Sequence, residues 1–202
     1  ELPEERKVLS IGFYGEKDFY FLKEVVNAIL VRLGIKDIEY TREENNPSFH
    51  PGRTANLLVN GKNLGILGEI HIDVLENYDI KERAYVAQID FHELVRLTNL
   101  ERKYEPLPKY PAVLRDLALV VKEDVLVGDL EKVIGKHGEG LIENIDLFDI
   151  YRGSSIPEGM KSVAFSIIYR SHNRTLRDEE INKIQENIIR DLEETFDAKL
   201  RA

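Results

Sequence analysis

Asp149 and Tyr151 are the two residues whose types and spacing best suit ligand binding. They lie two positions apart in a segment, residues 145–152, whose pattern predicts a β-strand, so their side chains share one face. A tyrosine ring can stack on an unstacked nucleobase, and an aspartate can accept hydrogen bonds from the donor edge of a purine. Tyr151 and Arg152, at the end of this strand, also fit an ordinary packed edge. Nucleobase binding is therefore one of two interpretations that these residues support.

The next predicted strand, residues 162–169, has two different faces. One face is apolar, and the other carries the small residues Ser162, Ala164 and Ser166. We expect the small face to be open. Arg152 and Lys161 are candidate phosphate contacts beside it, because cations neutralise phosphates in nucleic-acid complexes. Arg115 and Asp116, at a strand start, fit a structural ion pair better than an RNA contact.

A second cluster, in the first half of the chain, offers weaker chemistry. Glu69 and His71 would point the same way on a strand, and with His50 they make a metal site conceivable, although their spacing matches no known ligand set. The segment from His50 to Arg53 also fits a structural turn in which Arg53 anchors a carboxylate. No Gly-rich phosphate loop, nucleophile motif or paired-carboxylate spacing is evident. We therefore assign no catalytic residue and no metal ligand.

Composition argues against an autonomous nucleic-acid binder. The 202 residues include 28 Lys plus Arg against 37 Asp plus Glu, a net charge of −9, and residues 111–202 alone carry a net charge of −5. Nucleic-acid binders are usually basic, so any RNA contact must be local or assisted by a larger assembly. The absence of Cys excludes disulfides and thiolate chemistry. We expect a cytoplasmic protein without a membrane segment, cut from a longer chain.

Hydrophobic periodicity predicts two domains separated by a proline-bearing linker. Residues 1–98 read as a strand-rich, mostly antiparallel α+β domain, with a helix after Asp18, a hairpin turn at Asn60-Gly61 and a loop over residues 43–51. Residues 99–110 form the linker. Residues 111–202 follow the order β-α-β-β-α-β, which is typical of a ferredoxin-like domain with both helices on one sheet face.

Two sets of motifs resemble the phenylalanyl-tRNA synthetase family. Its ferredoxin-fold anticodon-binding domain is similar to the segments Tyr110-Pro111, residues 115–118, 147–153, 157–159, 161–165 and 174–176. The catalytic-like, class II synthetase-like module of its bacterial β subunit is similar to residues 49–55 and 65–71. Ile72 and Arg177 depart from the family pattern, and at Arg177 we expect Thr175 or Asp178 to cap the final helix instead.

The resemblance implies an anticodon-binding function. Carried over position by position, the contacts to the first anticodon base, a guanine in phenylalanine tRNA, would be Asp149, Tyr151, Ser162 and Arg201. The partners would be that tRNA, the synthetase α subunit and the rest of the β chain. The resemblance also implies that this fragment holds no catalytic site or cofactor, because aminoacylation with ATP and Mg²⁺ belongs to other parts of the parent ligase.

Three further expectations remain open. One alternative is that the chain serves chiefly as a scaffold at a subunit interface, with little RNA affinity of its own. If residues 1–98 are half of a larger antiparallel sheet, they should expose apolar surface, which would favour self-association of the fragment. An independent metalloenzyme is the third interpretation, and it predicts bound metal in the purified protein.

Overall fold

The computed structural model describes residues 5–104, 106–138 and 140–201. The chain is divided into two compact units, the first ending at Tyr104 and the second following it. Both are α+β units built on antiparallel sheets, as the periodicity predicts. Among the described residues, no helix has the length and apolar character needed to span a membrane.

The first unit contains a five-stranded sheet in the order β1-β5-β4-β3-β2. Its strands are β1 (Val8–Tyr14), β2 (Ile38–Arg42), β3 (Phe49–Val59), β4 (Lys62–Ile70) and β5 (Ala84–Asp90), and its helices are α1 (Phe19–Arg32), α2 (Ile72–Asn77) and α3 (Phe91–Leu97). Leu22, Val26 and Leu30 repeat at helical spacing and are fully buried, so α1 packs its apolar stripe into the core. Asp18 caps α1 by accepting a hydrogen bond from the backbone N–H of Phe21.

The hairpin between β3 and β4 confirms the predicted turn and corrects its flanks. Asn60 and Gly61 have φ angles of 50° and 72°, the left-handed values that a type I′ turn requires. The predicted loop over residues 43–51 is wrong at its end, because β3 already begins at Phe49, which pairs with Ile70 across an irregular stretch of the ladder. His71 also lies outside β4: it is the N-cap of α2 and accepts a hydrogen bond from the N–H of Asp73.

The second unit has the ferredoxin-like order of elements. These are β6 (Val113–Lys122), α4 (Val127–Lys136), β7 (Ile142–Tyr151), β8 (Met160–Tyr169), α5 (Asp178–Phe196) and β9 (Lys199–Leu200), with the strands arranged β7-β8-β6-β9. Both helices contribute to one core against a single face of the sheet, through buried residues that include Leu130, Ile134, Ile181 and Ile188. In the described part of this unit no helix covers the other face, which we term the helix-free face.

The helix-free face is less open along β8 than the sequence predicts. Ser162 and Ala164 are only 2% and 7% exposed. They are short side chains on an interior strand, shielded by longer neighbours on the adjoining strands. The expectation that this small face is open is therefore wrong for β8 itself, and the accessible surface lies on the strands around it.

The N-terminus of α5 is capped differently from the sequence prediction. Neither Thr175 nor Asp178 caps the helix. Instead, Glu180, in the first turn, accepts a hydrogen bond of 3.1 Å from the backbone N–H of Arg177. Arg174 donates to both Glu180 oxygens, at 2.6 and 2.7 Å. Asp178 forms an ion pair of 2.7 Å with Arg115 of β6. Arg115 therefore has a structural role, as predicted, but its partner is Asp178 and not the adjacent Asp116.

A one-residue bulge interrupts β7. Leu147 pairs with Phe165 and Asp149 pairs with Ala164, so Phe148 has no partner on β8. Phe165 belongs to the helix-covered core, whereas Ala164 points to the opposite side. Because the ladder skips Phe148, Asp149, and Tyr151 after it, lie on the helix-free face.

Candidate nucleic-acid interface

Cross-strand pairing brings the predicted contact residues together. Tyr151 of β7 lies directly opposite Ser162 of β8, and Asp149 lies opposite Ala164. Because paired residues in an antiparallel ladder project to the same side, Asp149, Tyr151 and Ser162 all belong to the helix-free face.

Arg201 reaches the same group of residues from the opposite edge of the sheet. Its backbone N–H donates to the carbonyl of Ala118 on β6, which anchors the chain beyond β9. Its Nη1 donates to the Ser162 hydroxyl at 3.2 Å, and the guanidinium carbon lies 5.1 Å from the centre of the Tyr151 ring. A cation at this distance from an aromatic ring is attracted by about 0.5–1 kcal/mol at an exposed site. Arg201 therefore lies over Ser162, which explains the burial of that serine, and holds the ring of Tyr151.

Gly153 provides the space that the Tyr151 ring occupies. A Cβ atom at position 153 would lie 2.1 Å from the tyrosine hydroxyl and 2.4 Å from the carbon that bears it. Any residue other than glycine would therefore push the ring aside. This role was missed from the sequence, where the only available signal is a glycine two positions after an exposed aromatic residue.

Asp149 presents a free acceptor beside that ring. Its side chain is exposed, and within the described residues it makes no hydrogen bond and no ion pair. Tyr151 remains 37% exposed. The two groups needed for stacking and for hydrogen bonding to a base are thus adjacent on one solvent-accessible surface.

The other two candidates, Arg152 and Lys161, do not join this group. Arg152 pairs with Glu123 at 2.8 Å. Lys161 is only 6% exposed, and its ammonium group donates to the backbone carbonyl of Glu123 at 2.8 Å. Lys161 alternates with Ser162 and so belongs to the helix-covered side. Its burial argues against the phosphate contact that the sequence suggested, and we leave it out of the proposed surface.

The residues considered for a metal site have other roles. The Nη1 atom of Arg53 lies 2.9 and 2.8 Å from the two oxygens of the buried Glu69 carboxylate, which confirms that Arg53 anchors a carboxylate. His50 accepts a hydrogen bond from the N–H of Gly52, and His71 caps α2. In the parts of the chain that the structure describes, no group of three potential ligands gathers in metal-binding geometry.

Comparison with known proteins identifies both halves of the chain. The family model described as the phenylalanyl tRNA synthetase beta chain CLM domain matches residues 1–91. The model described as the ferredoxin-fold anticodon binding domain matches residues 108–201. The second match contains all the residues grouped around Tyr151.

Curated relatives extend the similarity over nearly the whole chain. The phenylalanine–tRNA ligase beta subunit of Clostridium tetani is 50% identical over 200 residues, covering 99% of this chain and 25% of the relative. The corresponding subunits of Clostridium acetobutylicum and Bacillus subtilis are 46% and 41% identical, covering 100% and 97% of this chain and 25% and 24% of the relatives. The chain thus spans about a quarter of the length of these relatives. It belongs to the phenylalanine–tRNA ligase β-subunit family, in which it corresponds to the C-terminal region formed by the CLM domain and the ferredoxin-fold anticodon-binding domain.

Proposed function

We propose that the second unit binds the anticodon of phenylalanine tRNA and selects guanine at its first position through Asp149 and Tyr151. The observation that carries this proposal is the exposed carboxylate of Asp149, without a partner among the described residues, beside the accessible ring of Tyr151. The match of residues 108–201 to an anticodon-binding domain supports it.

The chemistry of the pair explains a preference for guanine. Guanine presents two neighbouring donors, at N1 and N2, and a carboxylate has two acceptor oxygens that can take both hydrogen bonds. Adenine presents an acceptor at its N1, which would face the negative charge of Asp149. The Tyr151 ring supplies stacking energy of about 1–3 kcal/mol for any base, so selection depends on the carboxylate.

Arg201 and Gly153 orient these two groups. Arg201 holds the Tyr151 ring and supplies the positive charge nearest to the bound nucleotide. Gly153 leaves room for that ring. Ser162 lies beneath the guanidinium of Arg201 and accepts a hydrogen bond from it. Because Arg201 covers Ser162, the serine holds Arg201 in place and does not contact the base. Arg152, paired with Glu123, is at most a peripheral contact.

The remaining features of the family extend the proposal to the whole protein. Residues 1–98 would form a catalytically silent module, residues 99–110 a linker, and residues 111–202 the anticodon-binding domain. We place no catalytic site in this chain: aminoacylation of the tRNA with ATP and Mg²⁺ would take place in the complex with the α subunit and the rest of the β chain, in the cytoplasm. The names of the relatives and the domain matches support this assignment.

A titration with anticodon stem-loops tests base recognition. We expect the loop with guanine at the first anticodon position to shift the NMR signals of residues 149–151 and to bind the chain more tightly than loops with other bases. Asp149→Asn should reduce that preference by about 1–3 kcal/mol, the usual value of a two-bond base contact.

Asp146→Asn is the matched control. Asp146 is another exposed aspartate of β7, but it lies opposite Ser166, nearer the other end of the ladder, and accepts a hydrogen bond from Asn144. Its substitution removes the same charge and should leave the preference for guanine unchanged. Binding that is indifferent to the first anticodon base would refute the proposal and favour the scaffold interpretation.

A further inference from the structure

The charged residues of the helix-free face are segregated along its strands. One continuous row crosses all four strands and consists of Tyr151, Ser162, Val120 and Lys199. Lys122 lies two residues after Val120 and therefore on the same face. At the other end, Asp116 and Asp146 flank Ser166. Ser166 lies four positions after Ser162 on β8, a distance of about 13 Å. Apart from Asp149, the proposed base contact, which lies between them opposite Ala164, one end of the face is thus basic and the other is acidic.

The two lysines at the basic end are available for an external partner. Both are exposed, and neither forms an ion pair within the described residues. Lys122 and Lys199 are diagonal neighbours on β6 and β9, at a typical separation of about 7–8 Å. Glu123, which follows Lys122, is already paired with another cation, Arg152.

We propose that Lys122 and Lys199 form a phosphate-binding corner, along which the RNA backbone runs away from the nucleotide that is bound at Tyr151. This inference rests on the proposed anticodon-binding function and adds the path of the backbone. Phosphate oxygens accept hydrogen bonds from ammonium groups, and each neutralised phosphate releases counterions. Asp116 and Asp146 would repel a backbone that ran toward the other end, so the charges select one direction across the sheet.

The phosphate-binding corner also explains how a chain with a net charge of −9 can bind RNA. The interaction of exposed charges decays within about 8–10 Å at physiological salt. A local pair of lysines next to the stacking residue can therefore contact phosphates although the chain as a whole is acidic. Arg152 and Lys161, the cations that the sequence suggested, are engaged by Glu123.

Salt dependence of stem-loop binding tests the corner. For the 202-residue chain, the slope of log affinity against log salt should fall in magnitude by about 0.7 for each lost phosphate contact, and thus by about 1.4 in the double variant Lys122→Gln/Lys199→Gln. The preference for guanine should stay unchanged, because phosphate contacts carry no base information. The control, Lys132→Gln/Lys183→Gln, removes the same charge from the helices and should leave the slope unchanged.

The outcomes separate this proposal from the one on which it rests. An unchanged slope in the Lys122/Lys199 variant, or an equal fall in the helix variant, overturns the corner even if the preference for guanine persists. A slope that depends on the two lysines without any guanine preference supports the corner and refutes base recognition by Asp149. A wild-type chain that binds no stem-loop at low salt refutes both.

Discussion

Arg53 holds the buried carboxylate of Glu69, with its Nη1 atom 2.9 and 2.8 Å from the two oxygens. Glu69 is 5% exposed and lies on β4, whereas Arg53 lies on the irregular part of β3 and is partly accessible. Arg83 provides a second, more distant cation at 3.7 Å. This contact ties the irregular stretch of β3 to the regular ladder beside it.

Arg53→Met should lower the free energy of unfolding of the first unit by about 1–3 kcal/mol. Removing one partner of a fully buried ion pair costs about 3–5 kcal/mol, and both the exposure of Arg53 and the presence of Arg83 reduce that cost. Hydrogen exchange of peptides from β3 and β4 would measure this loss of unfolding free energy. The control, Arg42→Met, removes an exposed ion pair with Glu44 and should change the unfolding free energy by less than about 0.5 kcal/mol. Equal effects of the two variants would contradict a special role for Arg53.

Gly153→Ala should weaken stem-loop binding without unfolding the second unit. The added methyl group would lie 2.1 Å from the Tyr151 hydroxyl, so the ring must leave its position under Arg201. We expect the tyrosine ring signals to shift and the affinity to fall several-fold, in proportion to a stacking contribution of about 1–3 kcal/mol. Gly128→Ala is a suitable control, since nothing lies within 4 Å of a Cβ at that helical position. Wild-type affinity in Gly153→Ala would show that the ring position does not matter.

Glu180 should make the stability of the second unit depend on pH under acidic conditions. Hydrogen bonds from Arg174 and from the Arg177 backbone lower the pKa of Glu180 from its usual 4.5 to about 2. Because the folded protein holds the carboxylate in its charged form, its contribution is complete above pH 4.5 and is lost as the pH falls toward about 2.

Glu180→Gln should therefore be less stable than the wild type near neutral pH, and the difference in denaturation midpoint should shrink between pH 4.5 and 2. Glu179→Gln serves as the control, because Glu179 lies in the same turn without an ion pair among the described residues. A difference that stays constant over this pH range would rule out the assigned ionisation.

Tyr169→Phe should leave the second unit as stable as before, or stabilise it by about 1 kcal/mol. The hydroxyl of Tyr169 is buried and has no hydrogen-bond partner in the described part of the chain. Burial also raises the pKa of this tyrosine to about 12. In the first unit, Tyr40→Phe provides the opposite case, because the Tyr40 hydroxyl donates to Asn27. That variant should lose about 1 kcal/mol, and a loss of the same size in Tyr169→Phe would indicate a partner for its hydroxyl.

Features encoded by local patterns were predictable from the sequence. The helix after Asp18 and the Asn60-Gly61 turn both follow from periodicity, capping and turn chemistry. Predictions failed where a distant or unusual partner decides the structure. Phe49 extends β3 because Ile70 pairs with it, and Glu180 replaces the expected caps because Arg174 fixes its position.

The same distinction applies to the candidate interface. Alternation along one strand placed Asp149 and Tyr151 together, and the resemblance supplied Ser162 and Arg201. The contact between Arg201 and Tyr151 joins β7 to the residue that follows β9, at opposite edges of the sheet, so no local pattern reveals it. The helix-covered position of Lys161, by contrast, follows from its alternation with Ser162, and the sequence prediction overlooked it.

The bulge at Phe148 makes the interface depend on how β7 pairs as well as on its composition. If Phe148 paired with Ala164 in a regular ladder, Asp149 and Tyr151 would fall opposite Val163 and Lys161, and both would face the helices. Straightening the bulge would thus keep every proposed contact residue in the sequence and still turn Asp149 and Tyr151 away from the helix-free face. Deletion of Phe148, by contrast, leaves Asp149 opposite Ala164 in a regular ladder, so a relative with a gap at this position keeps the geometry for base recognition.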